Sequence, residues 1–186
     1  MAEILRDDDP RCAELEAAGY RIVGESWGAH LQLGDLTGLR ARRSRADVRE
    51  LQPEDARALH GLESQTNPDY PFTPATAHEL LDLAQTVALW KLGTRLFGAW
   101  DQDELVAATS ISVSGDAADV DFASVLASHR GRGLGAAVVA AAIIAVAEED
   151  GVTRVGTGGA AVNDASLATV RALGFTVDER WRSYEL

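Results

Sequence analysis

The segment 120-VDFASVLASHRGRGLGAAVVAAAIIAVAEED-150 decides how the chain is read. It opens as a short β-like run, turns through Ser128-His-Arg-Gly-Arg-Gly-Leu-Gly135, and continues as a long Ala/Ile/Val run. Glycines between a strand and a helix let backbone N–H groups approach a ligand closely. The helix N-terminus adds unpaired N–H groups and a partial positive charge, a ready site for a phosphate.

The letters admit three phosphate-binding patterns. A Walker A loop needs Gly-x4-Gly-Lys-Ser/Thr, and this turn has no lysine. A dinucleotide fingerprint, Gly-x-Gly-x-x-Gly/Ala, is met by Gly131, Gly133 and Ala136. Its context is not met. The segments before it read as an antiparallel meander, and the strand after it, "VTRVGT", ends without the acidic residue that would hold a ribose. The third pattern, Arg/Gln-x-x-Gly-x-Gly/Ala, is met by Arg130, Gly133 and Gly135.

The remaining chain organises around this turn. "CAELEAAGY" (12–20) reads as a helix and "YRIVGESWGAHLQL" as a strand, followed by a linker, "GDLTGLRARRSRA". Residues 47–65 read as a strand and a helix, with Pro53 in the first helical turn. The prolines of "TNPDYPFTPAT" (66–76) mark a loop, and a second helix is expected to start near Thr73 or Pro74. "RLFGAWDQD", "ELVAATSISVSG" and "ADVDFASVLAS" read as hairpin-linked strands. After helix 133–150 come a strand, a helix from Asn163 or Asp164 to Gly174, and a last strand.

That order, with the Arg130–Gly135 turn in place, resembles the GCN5-related N-acetyltransferase family over residues 47–186. "DVRELQPEDARAL" is similar to the family's first strand and helix. "NDASLATVRALGF" resembles its later helix, with Asn163 eleven residues before Gly174-Phe175. The resemblance implies a mixed α/β fold of acyl-CoA N-acyltransferase type, with a mainly antiparallel central sheet flanked by helices. Residues 1–46 would be an N-terminal helix–strand extension. It implies acetyl-CoA as co-substrate, no metal, and direct attack by a primary amine of a small molecule or peptide.

Site residues follow from the same resemblance. Arg130, Gly131, Arg132, Gly133, Leu134, Gly135 and Ala136 would surround the pyrophosphate. Ser124, Val125 and Leu126 would lie along the pantetheine arm, with a strand N–H stabilising the oxyanion. Asn163 would bind the CoA side or cap its helix. Many family members place a tyrosine acid seven residues after that Asn; here the position is Val170, which cannot donate a proton. Tyr184 and Tyr70 are the candidate acids, Asp121 (beside Asp119) the candidate base, and Asp69 and Tyr70 the candidate contacts for a cationic substrate. Val170 also keeps open a second function, an acyl-CoA-binding module with weak catalysis.

Composition agrees with this class. The chain has 186 residues and a net charge of −12, which argues against general nucleic-acid binding. The acidic N-terminus carries no signal-peptide core, and the Ala-rich run is short for a membrane span, so neither membrane nor secretion is expected. The single cysteine, Cys12, fits a reducing cytoplasm and excludes a thiol metal cage. The front segment "LEAAGYRIVGESWGAHL" echoes "VRALGFTVDERWRSYEL", as a remnant of a duplicated unit would. It would add a strand to the sheet or pair with another subunit in a homodimer.

Overall fold

The computed structural model describes residues 2–186. Its eight strands are β1 (Glu3–Arg6), β2 (Arg21–Gln32), β3 (Val48–Glu50), β4 (Arg95–Asp101), β5 (Glu104–Ser114), β6 (Ala117–Val125), β7 (Arg154–Ala160) and β8 (Thr176–Glu185). The helices are α1 (Arg11–Ala17), α2 (Thr37–Arg43), α3 (Ala56–Thr66), α4 (Leu83–Lys91), α5 (Leu134–Glu149) and α6 (Asp164–Ala172). These strands form one sheet in the order β1-β8-β2-β7-β6-β5-β4-β3. Among the described residues only the β6–β7 pair is parallel, because α5 carries the chain from one to the other as a crossover.

α5 is apolar almost all round, and Ala136 through Ile144 are buried. Its alanines let the axis sit close to β4, β5 and β6, with α2 beside it. α3 packs on β5 and β6 through Leu59 and Leu62, with α4 alongside. Burying these side chains contributes about 25 cal/mol per Å² of apolar surface removed from water, the main force holding the layers.

Two expectations need correction. "GDLTGLRARRSRA" is not a linker: Thr37–Arg43 form α2, buried through Leu39, because α5 offers that leucine a hydrophobic wall that local sequence does not announce. The second helix begins at Leu83 rather than near Thr73. Asp82 caps it, accepting from the Gln85 N–H at 2.8 Å while the Gln85 side chain accepts the Asp82 N–H. That reciprocal box fixes the start and leaves residues 70–82 without helix.

The front segment lies within the sheet. β2 sits between β7 and β8, and β1 flanks β8 on the far side. In register, Arg21 faces Glu185 and His30 faces Thr176. β1-α1-β2 and β7-α6-β8 are therefore related by an approximate two-fold axis between β2 and β8. The sequence echo corresponds to this symmetry, down to left-handed glycines after each helix, Gly19 (φ 92°) and Gly174 (φ 91°). Trp27 of β2 lies over the glycines of β7; a Cβ on Gly159 would stand 2.6 Å from its ring.

Candidate active site

β6 and β7 pair only as far as Val120 and Thr157. At the fork, Thr157 Oγ1 donates to the Val120 carbonyl at 3.2 Å. Beyond it β6 stays with β5 and β7 stays with β2, so the sheet opens. A bulge sits at the same place: Ser110 faces Phe122 and Ile111 faces Val120, leaving Asp121 as the extra residue.

The opening is a cleft of about 820 Å³, within the range of small-molecule sites. Alternate residues of a strand turn their polar backbone groups to the same side. Ala123 and Val125 turn theirs into the cleft: Ala123 O accepts the Tyr70 hydroxyl at 2.9 Å, and Val125 O accepts Arg130 Nε at 3.1 Å. Here β6 has an unpaired edge, capped by two side chains.

This edge runs into the N-terminus of α5. Gly131 and Gly133 adopt φ of 76° and 80°, and a Cβ on either would point into open space. Helix bonding resumes with the Ala137 N–H to the Gly133 carbonyl, so the N–H groups just before it are without helical partners. With the helix dipole they form a cradle for an anion such as pyrophosphate, one the chain's residues fit. Leu134, Gly135 and Ala136 line the same end of the cleft.

The other expected residues divide. Ser124 is buried, with its hydroxyl 3.1 Å from the Tyr70 hydroxyl. Asn163 lines the cleft and caps α6, accepting the Ser166 N–H at 3.1 Å. Asp121 lines the cleft, its Oδ2 accepting Ser110 Oγ at 3.1 Å and Ser112 Oγ at 2.8 Å. Asp69 and Tyr70 both line it, and Asp69 pairs with Arg130 at 2.6 Å. Val170 is buried at the cleft wall.

Leu126 and Arg132 lie outside the lining. Leu126 is buried, its N–H bonded to Val106 O, and Arg132 Nη2 donates to Ser128 O. Tyr184 is the clear correction. It is fully buried in a separate cluster with Leu5 and Cys12, and its hydroxyl donates to Glu16 Oε1 at 3.0 Å. β1 and α1 cover the strand that carries it, so it does not reach the cleft. Trp90 and Trp100 do not line the cleft either; Trp90 donates to Leu51 O and Trp100 stacks under Arg49.

Sequence reasoning missed the residues between Tyr70 and α4. His78 lines the cleft, its ring 4.5 Å from Tyr70 and 5.2 Å from Phe122. Its Nε2 is 2.5 Å from Glu63 Oε2 on α3. Burial pushes the Tyr70 phenol up to about 12, partly offset by its bond to Ser124. The readable signal was the Asp82-x-x-Gln85 box, which places His78 in a loop.

A family model described as "Acetyltransferase (GNAT) family" matches residues 56–175. No curated protein matches the chain in sequence. Among solved structures, a GCN5-related N-acetyltransferase from Sphaerobacter thermophilus is similar at TM-score 0.73 and 18% identity, covering 98% of this chain and 58% of that one. A GNAT-family acetyltransferase from Colwellia psychrerythraea is similar at TM-score 0.71 and 16% identity, covering 100% and 65%. A tandem GNAT protein from the clavulanic acid biosynthesis pathway is similar at TM-score 0.69 and 20% identity, covering 99% and 61%. This chain thus spans about three fifths of the length of those proteins. At such identities the structures speak for the fold. With the family model spanning well over half of the residues, around a forked sheet and a glycine-lined helix end, the chain belongs to the GNAT acetyltransferase family.

Proposed function

We propose that the protein transfers an acetyl group from acetyl-CoA to a primary amine of a small molecule or peptide. The observation that carries this reading is the unpaired edge of β6, running from the fork at Val120 into the N–H cradle at Gly131–Ala136. A pantetheine arm has amides that pair with such an edge, and a pyrophosphate suits such a cradle. Acetyl-CoA would supply an acyl group already activated as a thioester.

The chain's own residues then have definite tasks. The N–H groups of Ala123 and Val125, on the open side of β6, bind the arm and stabilise negative charge on the carbonyl oxygen. Asn163 holds the CoA side beside the α6 N-terminus. Asp121 beside the fork and Asp69 and Tyr70 of the loop after α3 receive the amine, Asp69 while paired with Arg130. The single cysteine, Cys12, is buried with Leu5 and Tyr184 and is not among the residues lining the cleft, which suits a direct transfer with no acyl-enzyme. It also suits a reducing, cytoplasmic setting.

One observation favours a second reading, an acyl-CoA-binding module with weak catalysis: Val170, at the position of the usual tyrosine acid, is buried and aprotic. Calorimetric titration with acetyl-CoA, with NADH as control, tests the cofactor on wild type and Gly133→Asp. Binding of acetyl-CoA to wild type alone is expected, because the substitution would put a carboxylate at a φ of 80° in the anion cradle. Binding of NADH but not acetyl-CoA would overturn the reading. Thiol release across a panel of primary amines separates the enzyme from the binding module.

A further inference from the structure

His78 and Glu63 form a dyad at the amine end of the cleft. Nε2 of His78 is bonded to Glu63 Oε2 at 2.5 Å. The Glu63 side chain is 12% exposed and that of His78 22%. The second carboxylate oxygen, Glu63 Oε1, is buried with no partner among the described residues. The backbone of the histidine is tied as well, since Asn67 Nδ2 donates to His78 O at 2.9 Å. Nδ1 of the ring makes no hydrogen bond within the described residues, and the ring lines the cleft between Tyr70 and Phe122. Phe122 adjoins the bulge at which the unpaired edge of β6 begins.

We infer that His78, held through Nε2 by Glu63, takes the proton from the attacking amine. The inference rests on the acetyl-transfer reading above and names its base. Glu63 accepts the Nε2–H, which fixes the tautomer and leaves the Nδ1 lone pair free. A primary amine enters as an ammonium ion, and Nδ1 removes one proton. The neutral nitrogen attacks the thioester carbonyl, so the N–C bond forms and the C–S bond breaks. Attack makes the nitrogen cationic again, and the proton it sheds on becoming an amide goes to the departing thiolate, giving free thiol, while His78 returns its proton to solvent. A buried carboxylate with one unpaired oxygen offers its charge to the imidazolium made in the first step, as an orienting acid does in other histidine dyads.

Asp121, the base expected from sequence, is placed less well. Two serine hydroxyls already engage its Oδ2. The titratable groups set against the His78 ring are Glu63 on α3 and Tyr70 in the loop. Imidazole is also the side chain that takes up a proton most readily near neutral pH.

The test compares wild type with His78→Gln and Glu63→Gln, using acetyl-CoA and a panel of primary alkylamines, with thiol release followed from pH 5.5 to 9. Acetyl-CoA binding by calorimetry is the control that each variant retains its cleft. The expected result is a kcat lower by ~100-fold in His78→Gln and by less in Glu63→Gln, with KM for acetyl-CoA unchanged. The gap should narrow as pH rises and the amine arrives already neutral. Equal rates in wild type and His78→Gln across this range would overturn the inference while leaving acetyl transfer intact. A uniform loss at every pH with a raised KM would reduce His78 to a wall of the site and equally overturn it. No thiol release from wild type with any amine would overturn the acetyl-transfer reading itself.

Discussion

Asp69 Oδ2 and Arg130 Nη2 stand 2.6 Å apart, and Arg130 Nε reaches the Val125 carbonyl from the same guanidinium. One arginine therefore ties the loop after α3 to the unpaired edge of β6, across the mouth of the cleft. It is also the first residue of the phosphate-binding pattern. The residue expected to meet the CoA phosphates and the residue expected to meet the amine are bonded to each other.

This pairing predicts an effect on cofactor affinity. Both side chains are about half exposed, 47% for Arg130 and 50% for Asp69. Such a pair is worth at most ~1 kcal/mol. Asp69→Asn should leave thermal stability almost unchanged and free Arg130 for phosphate. Acetyl-CoA affinity should rise by up to ~5-fold at low salt, within the same energy, and the gain should shrink in high salt. Calorimetry on Asp69→Asn and Arg130→Ala reads it. An affinity unmoved in both would show that Arg130 has no part in binding.

Tyr70 predicts an alkaline limit. Its phenol is raised from about 10 to about 12, chiefly by burial. Below pH 10 the folded and unfolded states both keep the proton, and the contribution of the buried phenol is fully present. Between pH 10 and 12 the unfolded chain loses the proton first, so stability falls as pH rises through this window. Urea midpoints measured from about pH 9 to about pH 11.5 should fall less steeply in Tyr70→Phe than in wild type. At about pH 8 the variant should lose ~1 kcal/mol, the hydroxyl being a donor to Ala123 O. Parallel curves would mean the phenol is not shielded.

Gly24 supplies a link between the front segment and the cleft. A Cβ there would stand 2.9 Å from Thr73 Cβ and 3.2 Å from Pro74 Cδ. β2 thus supports the loop that carries Tyr70 and His78, and Thr73 is buried against it with its hydroxyl 2.7 Å from that of Thr76. Gly24→Val should displace this loop while the cradle at Gly131–Ala136 stays in place. Acetyl-CoA binding should survive, and KM for the amine should rise several-fold. A variant that loses cofactor affinity but keeps the amine KM would contradict this division of the cleft.

What was legible in the sequence follows how local each signal was. The α5 turn reads directly, because a strand, three glycines and an apolar run must adjoin to make an anion cradle. The Asn163 cap and the left-handed Gly174 are equally local. α2 was missed because its helix depends on burying Leu39 against α5, and β1 because four residues pair only with β8. The place of β2 between β7 and β8 was half visible, as an echo, but register is set by distant strands. His78 and Glu63 are fifteen residues apart in no recognisable spacing. They meet because residues 70–82 stay out of helix before α4 and Asn67, just after α3, holds the His78 carbonyl.

Tyr184 gives the last prediction, because the sequence offered it, with Tyr70, as a candidate proton donor. Its ring is fully buried with Leu5 and Cys12, and its phenol is raised above the ordinary tyrosine value, chiefly by burial. It does not line the cleft, so Tyr184→Phe should leave kcat and both KM values within about two-fold of wild type, the spread expected of ~0.4 kcal/mol. The cost should appear in stability instead. The hydroxyl bond to Glu16 is worth ~1 kcal/mol, and the exposed carboxylate left behind is satisfied by water. Leu5→Ala, which empties space beside the same ring, should cost more, ~2 to 5 kcal/mol, again without changing the rate per folded molecule. Denaturation and steady-state assays on both variants separate the two roles. A large fall in kcat for Tyr184→Phe at unchanged stability would mean that the covered edge of the sheet takes part in the chemistry, and that the cleft between β6 and β7 is not the whole of the active site.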